Sequence, residues 1–435
     1  MVSEVASAVL RIVLERAQAI GDMIERYVDS QGVQLLHVRN LMSLPYNLPA
    51  SIALHDLALR RPDLAFLLQH HDLYWEGPNA RSFITPYEAV QAQLDRVMVP
   101  PLPNATHVLI NPIAADALRH RTGIDGTVVP DGFDFDRALP EIDDISFRRR
   151  LRVLTGDTAT VMRNDLVVAM PARIAINKAI ELAVQFTAAL ETQRSELENA
   201  TEGLGPLRRQ FDASRRIVLL LPQGEDLEDN RVYLDRVLDY ARHLGVTVVY
   251  GGDIVVPDRR LQLGDTQHVP FYGTYGSMDI VCYPPEHEGF GNQAIEAVWA
   301  RRSLVVLEYP VFKRFVAAHI PHVISLGDTA ELRRLDGFGG LHEVAPDRMT
   351  HAALAAVAVL LDHPREQQQL EDNFRSLRGF CGIDVVASTY EGLYAALLQR
   401  VGQQVQRNSS ASTAGRPDAQ KRRPAGTGGP SGRRD

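Results

Sequence analysis

From Tyr283 to Ala297 the chain reads Tyr-Pro-Pro-Glu-His-Glu-Gly-Phe-Gly-Asn-Gln-Ala-Ile-Glu-Ala, and this stretch leaves few folds open. Just before it, Asp279 to Tyr283 is a short apolar run of strand formers. That is the pattern of a buried strand in a parallel sheet. After Gly291 a helical pattern begins and runs to about Arg302. Strand, glycine turn and helix in this order set backbone N–H groups and a positive helix end at the carboxyl edge of a sheet. Open α/β sheets bind ligands there. Gly289 and Gly291 let the backbone approach a ligand closely, with Phe290 between them. Glu288 lies in the turn and Glu296 in the helix. A carboxylate only accepts hydrogen bonds, so two of them facing a cleft suit a polyhydroxylated ligand, one for a sugar and one for a ribose. A helix that merely carries acids in its first turn explains the spacing of the two glutamates. It does not explain the whole text following a strand.

The rest of the chain supplies a matching scaffold. Residues 5–29 read as an amphipathic helix. Strand patterns follow at 34–38, 63–70, 106–110 and 127–129, the last closed by Pro130-Asp-Gly-Phe-Asp134. Asp134 to Thr155 is charged and reads as a crossing into a second domain. Strands at 165–170, 216–221, 246–250, 279–283 and 303–307 alternate with helices, and helical patterns occupy 329–333, 348–377 and 384–400. Such alternation means parallel sheets covered on both faces. Gly203 to Gln210 reads as an exposed loop. Beyond Gln403 the chain turns to Ser, Gly, Pro, Arg and Gln, and disorder is expected.

At 435 residues two or three domains are expected, and a net charge of −8 makes nucleic acid an improbable partner. The two cysteines, Cys282 and Cys381, make neither a disulfide framework nor a metal cluster. No apolar run is long enough to span a membrane, and the N-terminus is not a signal peptide. A cytoplasmic enzyme is the default. The basic Lys421-Arg-Arg423 of the tail suits peripheral membrane contact at most. Asp134-Phe-Asp136 imitates a metal-binding D-x-D but follows a Pro-Asp-Gly turn, and His287 beside Glu288 has no ligand geometry, so no metal is expected. No dinucleotide-binding G-x-G-x-x-G or Walker lysine motif is present.

Pro284 to Ala297 resembles the "P-S-x-x-E-G-F-G-x-x-x-x-E-A" text, the E-x7-E motif, of retaining GT-B glycosyltransferases of family 4, with Pro285 in place of the usual serine. Pro171-Ala-Arg-Ile-Ala-Ile-Asn-Lys178 is similar to that family's "G-R-L-x-x-x-K-G" turn, Phe271-Tyr-Gly273 to its "F-x-G" base turn, and Gln69-His-His-Asp72 to its "T-x-H-D" strand end. The resemblance implies an α/β fold of two doubly wound Rossmann-like domains facing a cleft. It places Glu288 on the hydroxyls of the transferred sugar, and Gly289, Phe290 and Gly291 along that sugar. His71 would lie over it, Glu296 on the nucleotide ribose, and Arg173 and Lys178 on the diphosphate. A guanidinium, an ammonium and a helix end suit a diphosphate, whereas without an anion a helix start is a poor place for cations. The implied domains are 1–143, an N-terminal acceptor-side domain, and 144–382, a nucleotide-sugar domain. A helix at 383–402 crosses back, and 403–435 is a tail.

The implied reaction is metal-independent, cofactor-free transfer of a hexose, mannose or glucose, from a nucleotide-diphosphate sugar to a hydroxyl of a small-molecule, glycan or lipid-linked acceptor. The anomeric configuration is retained. The His-His-Asp-Leu-Tyr-Trp run and Tyr309-Pro-Val-Phe312 are most similar to the branch that makes mannosylated compatible solutes, which implies GDP-mannose over UDP-glucose as donor. An inactive binding or regulatory protein on this fold stays open, as does an epimerase or phosphorylase. Intact Arg173, Lys178, Glu288 and Glu296 favour an enzyme. The family's first domain opens with a strand and a Gly-Gly loop, whereas this chain opens in a helix. A first sheet short of its opening strands is therefore expected, with activity restored by an extension carrying that loop.

Overall fold

The computed structural model describes residues 2–76, 85–156, 160–200, 203–223, 230–262 and 264–414. The chain opens in helix α1 (Val2–Gln31), whose inner face of Val13, Ala17, Ile24 and Val28 packs with α2 (Leu48–Arg60) and the adjoining core. Four strands, β1 (Leu35–Arg39), β2 (Ala65–His70), β3 (Ala105–Leu109) and β4 (Gly126–Val128), form a parallel sheet in the order 1-2-3-4, with β1 at an edge. Between them come α3 (Glu88–Val97) and α4 (Pro112–Thr122). Every residue of β2 is buried, as a central strand covered on both faces requires. Asn104 holds the entry to β3 by donating to the carbonyls of Ala58, Arg61 and Leu64.

A second sheet has seven strands in the order 13-12-11-6-7-8-5. In chain order these are β5 (Arg152–Val153), β6 (Leu166–Ala169), β7 (Ile217–Leu221) and β8 (Thr247–Tyr250), then, after a small β9–β10 pair (Val255–Val256, Val269–Pro270), β11 (Ile280–Tyr283), β12 (Ser303–Glu308) and β13 (Ile324–Asp328). All pair in parallel except β5, which runs antiparallel to β8. Both sheets and their covering helices give the α/β architecture expected from sequence. The strands β6, β7 and β11 are buried throughout, and their apolar residues belong to one core that extends under both faces of the second sheet.

Four expectations are corrected. The helical pattern at 348–377 is two helices, because Asp362 caps a new start by accepting from the Arg365 amide, with Pro364 in the first turn. Gly203–Gln210 is not an exposed loop: Leu204 and Arg209 are buried and bridge each other, and the Arg209 guanidinium lies 3.4 Å from buried Asp279. The final helix, Ile383–Ala414, continues past the point where composition suggests a tail, and the remaining tail, Lys421 to Arg423 included, lies outside the described residues. That helix returns to the first sheet, where Arg400 donates to the Ala105 carbonyl. The 329–333 pattern is only a short turn, Thr329–Glu331, closed by an Asp328–Glu331 capping box.

Candidate active site

The carboxyl ends of β2, β6 and β11 converge on one cleft. After β11 the chain turns through Glu288 and Gly289 into the helix Asn292–Trp299. Gly291 has φ = 97°, and a Cβ there would lie 1.8 Å from the Tyr309 hydroxyl, so no side chain fits. That hydroxyl donates to the Phe290 carbonyl at 2.9 Å and fixes the turn from beneath. The Phe290 side chain is buried in the core and packs near Phe315. Of the three residues expected along the sugar, Phe290 can therefore offer only its backbone.

Glu288 is ion-paired with Lys178, the residue expected on the diphosphate. Lys178 is buried and also lies over the Tyr283 ring. Its charge also favours the ionised form of Glu296. The loop before α6 (Ile180–Glu191; α5 is Asp144–Arg150) is sewn to the Glu288 turn by two bonds: Glu286 N–H to Asn177 O at 3.0 Å, and Asn177 Nδ2 to His287 O at 3.3 Å. Arg173 is exposed at the mouth of the cavity that Lys178 and Glu288 line, about 570 Å³ in volume.

Glu296 is 6% exposed. Burial pushes its carboxyl up to about 7, against a hydrogen bond from the Tyr275 hydroxyl at 2.7 Å that favours the charge. With Tyr272 and Asn292 it faces a second cavity of about 560 Å³, which His71 and Arg39 close from the first sheet. A smaller cavity of about 230 Å³ joins His71 to Glu288. The structure thus brings His71, Glu288, Lys178, Arg173 and Glu296 around one cleft.

Sequence reasoning missed several participants. Asn111 caps α4 by accepting from the Ala114 amide at 2.8 Å and donates across the cleft to the Gly289 carbonyl at 2.8 Å. Its Asn-Pro signal marked a helix start only. Asp72 and Glu76 add carboxylates to the cleft wall, and burial pushes Glu76 up to about 7. Tyr275 sits two residues beyond the Phe271-Tyr-Gly273 text, too far from Glu296 in sequence to be linked with it. Behind the turn, Glu181, Glu286 and His342 bring ligand-type atoms within 4.8 Å of one another. There the Tyr233 hydroxyl and the His342 amide satisfy Glu181, and the His342 ring pairs with Glu286. Asp134 closes a turn by accepting from the amides of Asp136 and Arg137, and Asp136 pairs with Arg378.

Comparison with known proteins fits this geometry. No family model matches the chain. It is 30% identical over 321 residues to a mannosylglucosylglycerate synthase of Thermotoga maritima, covering 73% of this chain and 67% of that one. The chain belongs to this family of glycosyltransferases. A synthase of the same name from Petrotoga mobilis is 26% identical over 348 residues, covering 80% and 75%. Among solved structures, the glycosyltransferase resembles a sucrose-phosphate synthase from Thermosynechococcus elongatus (TM-score 0.54, 15% identity, 89% and 79% covered). It also resembles a glycosyltransferase from Rickettsia africae (0.53, 13%, 89% and 82%). At these identities the likeness shows the fold, that of GT-B glycosyltransferases. No described helix of the glycosyltransferase is long and apolar enough to cross a membrane.

Proposed function

We propose that this glycosyltransferase moves a hexosyl group from a nucleotide-diphosphate sugar to an acceptor hydroxyl with retention, using no metal. The observation that carries this reading is buried Lys178, ion-paired with Glu288 at a cleft that Arg173 also lines. Ribose on Glu296, diphosphate at Lys178 and Arg173, and sugar on Glu288 follow in the order a nucleotide sugar demands. Cationic side chains and helix-end amides stabilise the departing diphosphate, where a dry site makes them count most. Glu288 accepts from the sugar hydroxyls, and His71 holds the same sugar from the first sheet. Departure and attack share one face, with a diphosphate oxygen taking the acceptor proton. The names of the relatives point to a mannosyl group and a glucosylglycerate acceptor, and hence to GDP-mannose as donor.

The test is a panel of nucleotide sugars with and without glucosylglycerate, with and without excess chelator. Turnover of GDP-mannose that depends on acceptor, survives chelation and gives an α-linked product supports the reading. Turnover of UDP-glucose alone moves the donor assignment, and activity lost to chelator and restored by manganese or magnesium ends the metal-free mechanism.

A further inference from the structure

A chain of hydrogen bonds runs from the C-terminal helix to His71. The Tyr394 hydroxyl lies 2.7 Å from His37 Nδ1, and His37 Nε2 lies 2.9 Å from Gln69 Oε1. Gln69 is 3% exposed, and its Nε2 lies 3.4 Å from His71 Nε2. Imidazoles and an amide can each be turned, so this chain alone could carry its protons in either direction. Arg39 removes the choice. Its NH2 also lies 3.4 Å from His71 Nε2, and a guanidinium only donates. His71 Nε2 must therefore be an acceptor. Gln69 then presents its amide nitrogen to His71 and its oxygen to His37, whose proton is on Nε2. Tyr394 donates to His37 Nδ1.

We infer that Arg39 and Gln69 are positioning residues that lock His71 as the neutral Nδ1–H tautomer, so that this ring offers the cleft a hydrogen-bond donor at Nδ1. The inference rests on the reading of His71 as a sugar contact. The groups around His71 are Arg39 on β1, Gln69 and His70 on β2, Asp72 beside it, Asp131 after β4, and His287 and Glu288 after β11. Among the described residues, Asp131 is the carboxylate that approaches Nε2, and at 3.7 Å it lies outside hydrogen-bonding distance. Both donors hold the ring where a sugar oxygen, an acceptor, can meet Nδ1–H.

Long-range nitrogen–proton NMR correlation on histidine-labelled protein at pH 8 reads the tautomer directly. The proton on His71 Nδ1 is expected; a proton on Nε2 overturns the inference. In Gln69→Glu a carboxylate faces Nε2, so the proton should move there. Arg39→Met, at an exposed position, should give a tautomer mixture and about tenfold lower kcat. An unmixed Nδ1–H signal in Arg39→Met overturns the role of Arg39. Tautomers that change as stated while turnover does not would leave the lock standing and remove His71 from the sugar site.

Discussion

Glu288 and Glu296 look alike in sequence, and their surroundings give them different tasks. Glu288 is ion-paired and opens to the cleft, so Glu288→Gln keeps an accepting oxygen but removes the charge, which weakens the contact proposed for the sugar and frees Lys178. Transfer should fall at least 100-fold, while affinity for the nucleoside diphosphate, measured by calorimetry, should not fall. Loss of affinity in step with turnover would move Glu288 to the nucleotide. Glu296 is buried, and its carboxyl, about 4.5 when unfolded, rises to about 7 in the fold. A raised carboxylate pKa means that the folded state holds the extra proton between those values. Stability is therefore full below about 4.5 and declines as pH rises towards 7. The cost at pH 8 is on the order of 1–3 kcal/mol. Glu296→Gln mimics the protonated form. It should raise the melting temperature at pH 8 but not at pH 5, and should weaken binding of the nucleotide relative to its base. An equal change in melting temperature at both pH values would refute the buried-charge account.

At the level of elements, the first sheet carries its own acid sensitivity. The rings of His70 and His107 meet edge atom to edge atom, Nε2 to Nδ1 at 3.0 Å, where β2 and β3 run side by side. His107 Nε2 donates to the Pro100 carbonyl, so its Nδ1 accepts from His70, leaving His70 Nδ1 buried without a partner. Burial pushes His107 down to about 4, with Arg400 adding to that effect and the Pro100 bond opposing it. His70 moves the same way, first through burial and then through its histidine neighbours. Here the unfolded chain binds protons first, so stability is full above about 6.5 and falls as pH drops to 4. The loss from His107 alone is about 3 kcal/mol. Urea unfolding from pH 7 to 4.5 should show this decline, and His107→Gln should flatten it. An equally steep decline in the variant would place the titrating group elsewhere.

Across the whole molecule, Asn111 ties the first sheet's α4 to the active turn on the far side of the cleft. Asn111→Asp keeps the helix cap, because a carboxylate oxygen still accepts from Ala114. It replaces the donor facing the Gly289 carbonyl with a repelling oxygen. Turnover should fall about tenfold or more at an unchanged melting temperature, as expected when a positioning contact of 1–2 kcal/mol is lost. A melting temperature that falls together with turnover would make Asn111 a structural cap only.

The strand, the glycine turn and the helix around Glu288 were legible because each is encoded within a few neighbouring residues. Apolar runs bury, glycine takes φ = 97°, and a helical pattern resumes at once. The alternation that makes both sheets parallel, save for the edge strand β5, was legible for the same reason. Other features depended on residues far apart in the chain. Lys178 and Glu288 meet across 110 positions, Asn111 and Gly289 across 178, and His37 and Tyr394 across 357. A local pattern cannot specify such pairs. Nor can it tell that Arg209, within Gly203–Gln210, is packed against a buried carboxylate, or that the Phe290 side chain is buried in the core. Sequence by itself determined which side chains are available to the chemistry. Tertiary structure decided which of them share one low-dielectric cleft, and burial there is what sets the charge of Glu296.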